Sequence, residues 1–146
     1  QLVASCDLAV ASEAAQFCTP GVHIGLFCST PMVALSRNLA NKHAMEMLLT
    51  GDMVSASRAA EIGLVNQAVP SAALRAASMA LAKKIATKSS LTVATGKHAF
   101  YQKKEMDLAA AYDYASEIMV KNMMARDAKE GIAAFIEKRA PDWRDE

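Results

Sequence analysis

The sequence is short of cysteine, of aromatic residues and of any excess of charge of one sign. It has three cysteines, and 16 Lys and Arg residues stand against 15 Asp and Glu, so the net charge is +1. Proteins that bind nucleic acid or anionic membranes usually present a basic face, and this composition offers no surplus charge to build one. Long hydrophobic runs are also missing, since none approaches the roughly 20 apolar residues that span a bilayer. We therefore expect neither a nucleic-acid partner nor a membrane partner.

The cysteine count indicates the compartment. Cys6, Cys18 and Cys28 cannot all pair with one another, and 146 residues are enough to bury a core without disulfides. The expected location is a reducing one: cytoplasmic, or the mitochondrial matrix if the source is eukaryotic. The chain begins at Gln1 rather than at methionine, and no secretory signal peptide is recognisable there. We expect natural sequence upstream of Gln1.

One segment, "CTPGVHIGLFCSTP", combines Cys18, His23 and Cys28 at even spacing. Structural zinc sites usually have four ligands, often from CxxC pairs that place two thiolates on one turn. The gaps here are four residues long and no fourth ligand stands nearby, so we expect no metal. Cys28 precedes a predicted helix, whose N-terminus favours a thiolate, but no base partner can be assigned to it. Buried, unreactive cysteines are the simpler interpretation.

The pattern of the chain changes near Pro70. Residues 1–70 combine short apolar segments with short helices, one of which opens at Ser29-Thr30-Pro31, where a hydroxyl is expected to act as the cap. Residues 71–146 contain only predicted helices. Asp127 is expected to cap the last helix as the first residue of a capping box. The predicted fold is α/β in the first region and helical in the second.

Three segments resemble one family. They are "CDLAVASEAAQFCTPGVHIGL", "ALSRNLANKHAMEMLLTGDMVSASRAAEIGLVNQAVP" and "DAKEGIAAFIEKRAPDW", and their order and spacing are similar to those of the enoyl-CoA hydratase/isomerase (crotonase) superfamily. The segment "GLFCSTP", where typical hydratases have a glycine-rich turn, resembles the subgroup of enoyl-CoA hydratase domain-containing proteins.

The resemblance implies an architecture. Residues 1–70 would end a crotonase-like spiral of ββα turns, and residues 71–146 would form a helical C-terminal oligomerisation region. A homo-oligomer, a trimer or a hexamer, is expected. The chain would be the C-terminal half of such a protein. The other half would carry the oxyanion-hole N–H groups and most of the surface that binds coenzyme A.

The resemblance also implies where catalytic residues would stand. Family hydratases use two glutamates around one water molecule, one as a base toward the water and one that delivers a proton to the α-carbon. By motif, these positions fall on Gln1 in "QLVASCD" and Gly21 in "FCTPG". An amide cannot exchange a proton near neutral pH and glycine offers only backbone, so the catalytic residues stay unknown. Asp7 is expected to be structural, and Glu46 to pair with Lys42 on a helix surface.

The loop around Gly21 is the candidate substrate pocket. Its members are Gly21, Val22, His23, Gly25, Leu26, Cys28 and Ser29. His23, the one histidine of the loop, is a candidate base. Its alternation with Val22 and Ile24 predicts instead that it faces away from the pocket.

The last helix holds the candidate residues for binding coenzyme A. In the family, a Phe and a Lys there reach the adenine and phosphate end, often from a neighbouring subunit, and they match Phe135 and Lys138. An ammonium suits a phosphate, whereas the spacing of Phe135 with Ile132 fits core packing equally well.

Three functions follow from these observations. The first is an acyl-CoA enzyme of modified mechanism. The second is a catalytically silent acyl-CoA-binding or scaffold protein, and the third is an assembly module. We expect no permanently bound cofactor, and a coenzyme A thioester as substrate or ligand.

Overall fold

The computed structural model describes residues 1–146 and divides them into two compact units, Gln1–Leu81 and Ala82–Glu146. The helices are α1 (Leu2–Ser5), α2 (Ser29–Ser36), α3 (Asn41–Thr50), α4 (Ala56–Glu61), α5 (Leu74–Ala86), α6 (Ser90–Gln102), α7 (Leu108–Met124) and α8 (Arg126–Glu137). The strands are β1 (Val10–Ser12), β2 (Gln16–Phe17), β3 (Val54–Ser55) and β4 (Gln67–Val69), and short 3-10 turns cover Pro20–Ile24, Ser71–Ala73 and Lys103–Glu105. No helix combines the length and the apolar character that crossing a membrane requires.

The first unit contains two strand pairs. β1 runs parallel to β4, with Ala11 opposite Ala68, and β2 runs antiparallel to β3, with Phe17 opposite Val54. A parallel pair needs a long crossover between its strands. The helices α2, α3 and α4 lie between β1 and β4 in the chain and supply that crossover. The predicted α/β character of the first region is confirmed.

Small side chains dominate the core of the first unit. Its buried residues are Ala4, Ala11, Leu35, Leu39, Ala44, Met47, Leu48, Ala56, Ala59, Leu64 and Val65. Alanine is the most frequent among them, and short side chains let helices and strands approach closely. Leu48 and Met47, on the inner face of α3, are among the larger members. This rigid face of α3 is where the candidate loop is attached.

The second unit has a polar centre. Its fully buried residues are Ser89, Asp127 and Ala134. Large apolar side chains on α7 and α8, such as Leu108 and Phe135, are instead exposed. Residues 71–146 contain helices and turns without strands, as predicted. Two roles stay predictions: residues 1–70 as the end of a spiral core, and residues 71–146 as the oligomerisation region.

The prediction that a hydroxyl caps α2 is wrong. The helix begins at Ser29 itself, so Cys28 takes the cap position, and no side chain accepts a hydrogen bond there. The Ser29 hydroxyl donates to the Phe27 carbonyl at 3.2 Å instead. The residue expected to precede the helix is already part of it, and a hydroxyl inside the first turn cannot act as the cap.

Candidate functional site

The candidate site is the loop between β2 and α2. Its 3-10 turn, Pro20–Ile24, ends at Gly25, whose φ of 76° lies in the left-handed region that glycine adopts easily. The Leu26 N–H then donates to the Gly21 carbonyl at 2.9 Å. The chain is thus folded back over Gly21.

Gly21 has no room for a side chain. A Cβ atom built on it would lie 2.5 Å from the Leu26 carbonyl oxygen and 2.9 Å from the Cys28 Sγ atom. Real Cβ atoms essentially never approach other heavy atoms this closely. The nearer obstacle is backbone, which cannot rotate aside as a side chain can. The position predicted to match the second family glutamate is therefore closed to any side chain in this conformation.

His23 turns toward the end of α3. Its Nε2 atom lies 3.3 Å from the Gly51 carbonyl oxygen. A Cβ atom on Gly51 would come within 2.8 Å of the same nitrogen, so glycine makes this approach possible. Val22, His23 and Ile24 lie in a 3-10 turn, so their alternation does not come from a strand. That His23 faces away from the substrate pocket stays a prediction. The tautomer that donates from Nε2 to Gly51 leaves Nδ1 as an acceptor.

Thr19 anchors the start of the loop, a role that its sequence context does not indicate. Its side chain is 4% exposed, and its hydroxyl donates to the Met47 carbonyl at 2.7 Å. Because the Met47 side chain belongs to the core, the loop is attached to α3 at a rigid point. No local pattern in the sequence could have shown this partner, which lies 28 residues away.

Cys18 and Cys28 are half-buried free thiols that flank the loop. No group of three or more His, Cys, Asp or Glu side chains is arranged to hold a metal ion. The His23 nitrogen of the evenly spaced pattern is hydrogen-bonded to Gly51.

Gln1, predicted to match the first family glutamate, and Glu46 lie outside the loop. Gln1 is exposed, and its carbonyl accepts hydrogen bonds from the N–H and the hydroxyl of Ser5, both at 3.0 Å. Glu46 does not pair with Lys42 as expected. Its Oε2 atom lies 3.8 Å from His43 Nδ1, one turn earlier on α3. The predicted partner of Glu46 is therefore wrong, but Glu46 does make a contact on the helix surface, as predicted.

Phe135 and Lys138 lie at the end of α8. Phe135 is 85% exposed and shares an apolar strip with Ile132 and Ile136, at the spacing that places residues on one helix face. Phe135 therefore does not pack in the core of this chain. Lys138 ends the helix with φ 56° and ψ 39°, is exposed, and has no carboxylate partner.

Asp127 does not cap α8, because the helix begins one residue earlier at Arg126. Its carboxylate is 1% exposed and accepts the N–H groups of Arg144 at 2.9 Å and Asp145 at 3.0 Å. A hydrogen bond from the Ser89 side chain, followed by these backbone donors, lowers the pKa of Asp127. The predicted cap is instead the anchor of the C-terminal tail.

The tail also reaches α6. Asp145 Oδ1 accepts the N–H groups of Ser90 at 2.7 Å and Leu91 at 3.2 Å, at the start of that helix. Hydrogen bonding by Ser90 is the main cause that lowers the pKa of Asp145. The Trp143 indole donates to the Thr87 carbonyl at 2.9 Å. The last residues thus join α6 and α8 within the second unit.

Comparison with known proteins begins with the enoyl-CoA hydratase/isomerase family, whose sequence model matches residues 1–146. Enoyl-CoA hydratase domain-containing protein 3, mitochondrial, from Mus musculus is 52% identical over 143 residues, which are 98% of this chain and 48% of the mouse protein. The Homo sapiens protein of the same name is 51% identical over 146 residues. Enoyl-CoA hydratase, mitochondrial, from Pongo abelii is 34% identical over 147 residues. The chain spans about half the length of the curated relatives it matches.

Solved structures show the same likeness. An enoyl-CoA hydratase from Mycobacterium smegmatis superposes with a TM-score of 0.94 at 51% identity, covering 97% of this chain and 55% of that one. Human enoyl coenzyme A hydratase domain-containing protein 3 superposes with a TM-score of 0.92 at 51% identity, covering 97% and 56%. The predicted fold class and the predicted subgroup are both confirmed.

Proposed function

Because the chain belongs to the enoyl-CoA hydratase/isomerase family, we propose that it forms part of a protein that binds acyl-CoA thioesters without hydrating them through paired glutamates. One observation carries the second half of this proposal. A side chain at Gly21 would lie 2.5 Å from the Leu26 carbonyl oxygen. The lack of space at Gly21 supports the absence of the second acid, and the Gln1 amide cannot carry a proton in place of the first.

Two kinds of protein fit this site. In an enzyme of modified mechanism, backbone donors would polarise the thioester carbonyl, and water or another group would move the proton. In a catalytically silent protein, the pocket would only bind or present the thioester. The hydrogen bond between His23 and Gly51 favours the silent protein, because it engages the one imidazole of the loop.

The proposed binding site for the adenine and phosphate end of the ligand is on α8. Phe135 offers an exposed ring on which an adenine could stack, and Lys138 offers an ammonium for a phosphate. Their exposure supports this assignment, because core packing would have made the ring unavailable. We propose coenzyme A thioesters as ligands, with no permanently bound cofactor.

Assembly and location are part of the same proposal. The exposed apolar side chains of α7 and α8, among them Leu108, Tyr112 and Met124, support a homo-oligomer, a trimer or a hexamer. The names of the mouse and human relatives include the word mitochondrial. They support the mitochondrial matrix if the source is eukaryotic.

The test uses a full-length version of the protein. Calorimetric titration with coenzyme A and with a short enoyl-CoA measures binding, and loss of the conjugated thioester absorbance measures hydration. We expect binding without hydration. We also expect no hydration in the double variant Gln1→Glu, Gly21→Glu, because the loop lacks space for the second side chain.

Hydration by the unaltered protein would favour the enzyme of modified mechanism over the silent protein, because it would require a proton carrier other than the two family positions. Two results would contradict the proposal itself. Hydration gained by the double variant would show that the loop opens easily. Failure of an oligomeric protein to bind either ligand would leave only the assembly module.

A further inference from the structure

Two adjacent cations stand at the end of α8, and only one of them is paired. Arg139 Nη1 and Nη2 lie 2.5 Å and 3.0 Å from the two carboxylate oxygens of Glu130. Arg139 Nε lies 2.5 Å from Glu137 Oε2. Lys138, between Glu137 and Arg139, has no such partner. One guanidinium thus occupies both carboxylates near the helix end.

Glu130 is well placed to hold this guanidinium. Its side chain is 16% exposed and also accepts the Asp142 N–H at 2.8 Å. The Arg139 hydrogen bonds, with the Asp142 donor second, lower the pKa of Glu130 to about 2. The carboxylate is therefore charged throughout the physiological pH range.

The backbone reverses at Lys138. The Arg139 N–H donates to the Ala134 carbonyl at 3.0 Å, and the Lys138 N–H to the Phe135 carbonyl at 3.3 Å. This is the usual way for a helix to end on a left-handed residue, but the position is normally glycine. A lysine there needs support from its surroundings. The reversal returns Arg139 to Glu130, nine residues earlier.

We infer that Glu130 is a positioning residue for Lys138. By holding Arg139, it fixes the reversal and leaves the Lys138 ammonium as the unpaired cation of the helix end, available to a phosphate. The inference rests on the proposed function, in which that phosphate belongs to coenzyme A. If the guanidinium were released, the reversal would no longer be fixed, and any carboxylate still present there, Glu137 or Glu130, would compete with the ligand for the ammonium.

The test compares coenzyme A with 3′-dephospho-coenzyme A on a full-length version of the protein. The ratio of their dissociation constants measures recognition of the terminal phosphate, and we expect roughly a five- to tenfold preference for coenzyme A. Lys138→Gly suits the left-handed backbone and should abolish the preference. Glu130→Gln keeps the shape of the side chain but loses its charge. It should reduce the preference severalfold while changing the affinity for the dephosphorylated ligand little.

Two further variants complete the design. Glu137→Gln removes the more exposed carboxylate, 58% against 16%, and should leave the preference within about twofold. Arg139→Gln frees both carboxylates and should lower the preference as Glu130→Gln does, which keeps the inference testable if Glu130→Gln folds poorly.

Each alternative result has one meaning. A normal preference in both Glu130→Gln and Arg139→Gln, with loss in Lys138→Gly, overturns the positioning role and leaves the proposed function intact. Equal weakening of both ligands in Glu130→Gln shows a purely structural role and also overturns the inference. A normal preference for coenzyme A in Lys138→Gly would show that Lys138 does not contact the phosphate, which also overturns the inference. Absence of coenzyme A binding in the unaltered protein overturns the proposed function together with the inference.

Discussion

Gly21 and Leu26 are in backbone contact across the candidate loop, so that a Cβ atom on Gly21 would lie 2.5 Å from the Leu26 carbonyl oxygen. The two residues are also joined by a hydrogen bond of 2.9 Å from the Leu26 N–H to the Gly21 carbonyl. A side chain at Gly21 therefore has no space in this conformation of the loop. Substituting glutamate for Gly21 would not create the space that the side chain needs.

We predict that Gly21→Ala destabilises the first unit. The added methyl must displace backbone, which typically costs about 1–3 kcal/mol in free energy of unfolding. Urea unfolding followed by circular dichroism measures the change. Gly96→Ala is the matched control, because Gly96 lies in α6 with nothing within 4 Å of its added Cβ. It should raise stability by up to about 1 kcal/mol. Equal effects of the two substitutions would contradict a closed loop.

We predict that Thr19→Val loosens the loop. Valine keeps the shape of threonine but removes the hydroxyl that donates to the Met47 carbonyl at 2.7 Å. That carbonyl retains the Gly51 N–H at 3.1 Å, so the cost should be about 1 kcal/mol rather than that of an unpaired buried group. Thr19→Ser retains the hydroxyl and should cost less. Urea unfolding of both variants checks the order, and a more stable valine variant would show that the hydroxyl has no anchoring role.

Much of the fold could be predicted because it depends on local signals. Glycine after "MLLT" ends α3 in the left-handed conformation, as its position indicates. Apolar spacing located the helices of the second unit. The caps at Ser29 and Asp127 failed because a capping motif fixes its register only within one residue or two. Neighbouring residues then decided where each helix begins.

The candidate site was less accessible to sequence reasoning, because its contacts join distant residues. Motifs predict Gly21 at the family acid position, but no local pattern indicates that Leu26 folds over it. The hydrogen bonds from Thr19 to Met47 and between His23 and Gly51 each link residues 28 apart. The role of Asp127 depends on a tail whose sequence is merely polar around Trp143.

We predict that Asp127→Asn releases the C-terminal tail. The carboxylate accepts one N–H on each oxygen, from Arg144 and from Asp145. An amide of the same shape has one oxygen, so one N–H would face another donor. Trp143 is the only tryptophan, and its indole donates to the Thr87 carbonyl, so its fluorescence reports the release as a red shift.

The control for this substitution is Asp142→Asn. The Asp142 side chain is 65% exposed and its carboxylate pairs with Arg144 at 2.9 Å. Loss of this ion pair should leave the emission wavelength of Trp143 unchanged. An unchanged spectrum in Asp127→Asn would mean that the tail is held by its other contacts.

Acid should release the same tail within a defined pH range. The pKa of Glu130 is lowered from 4.5 to about 2, so the unfolded carboxyl binds protons more readily than the folded one. The stability that this group contributes is complete above pH 4.5 and is lost as the pH falls toward about 2. The lowered pKa values of Asp127 and Asp145 act in the same direction. We therefore expect Trp143 emission to shift to the red between these limits. In Glu130→Gln the emission of Trp143 should depend less strongly on pH. The tail of this variant should already be less stable before acid is added. A transition centred well above pH 4.5 would assign the release to a different titrating group.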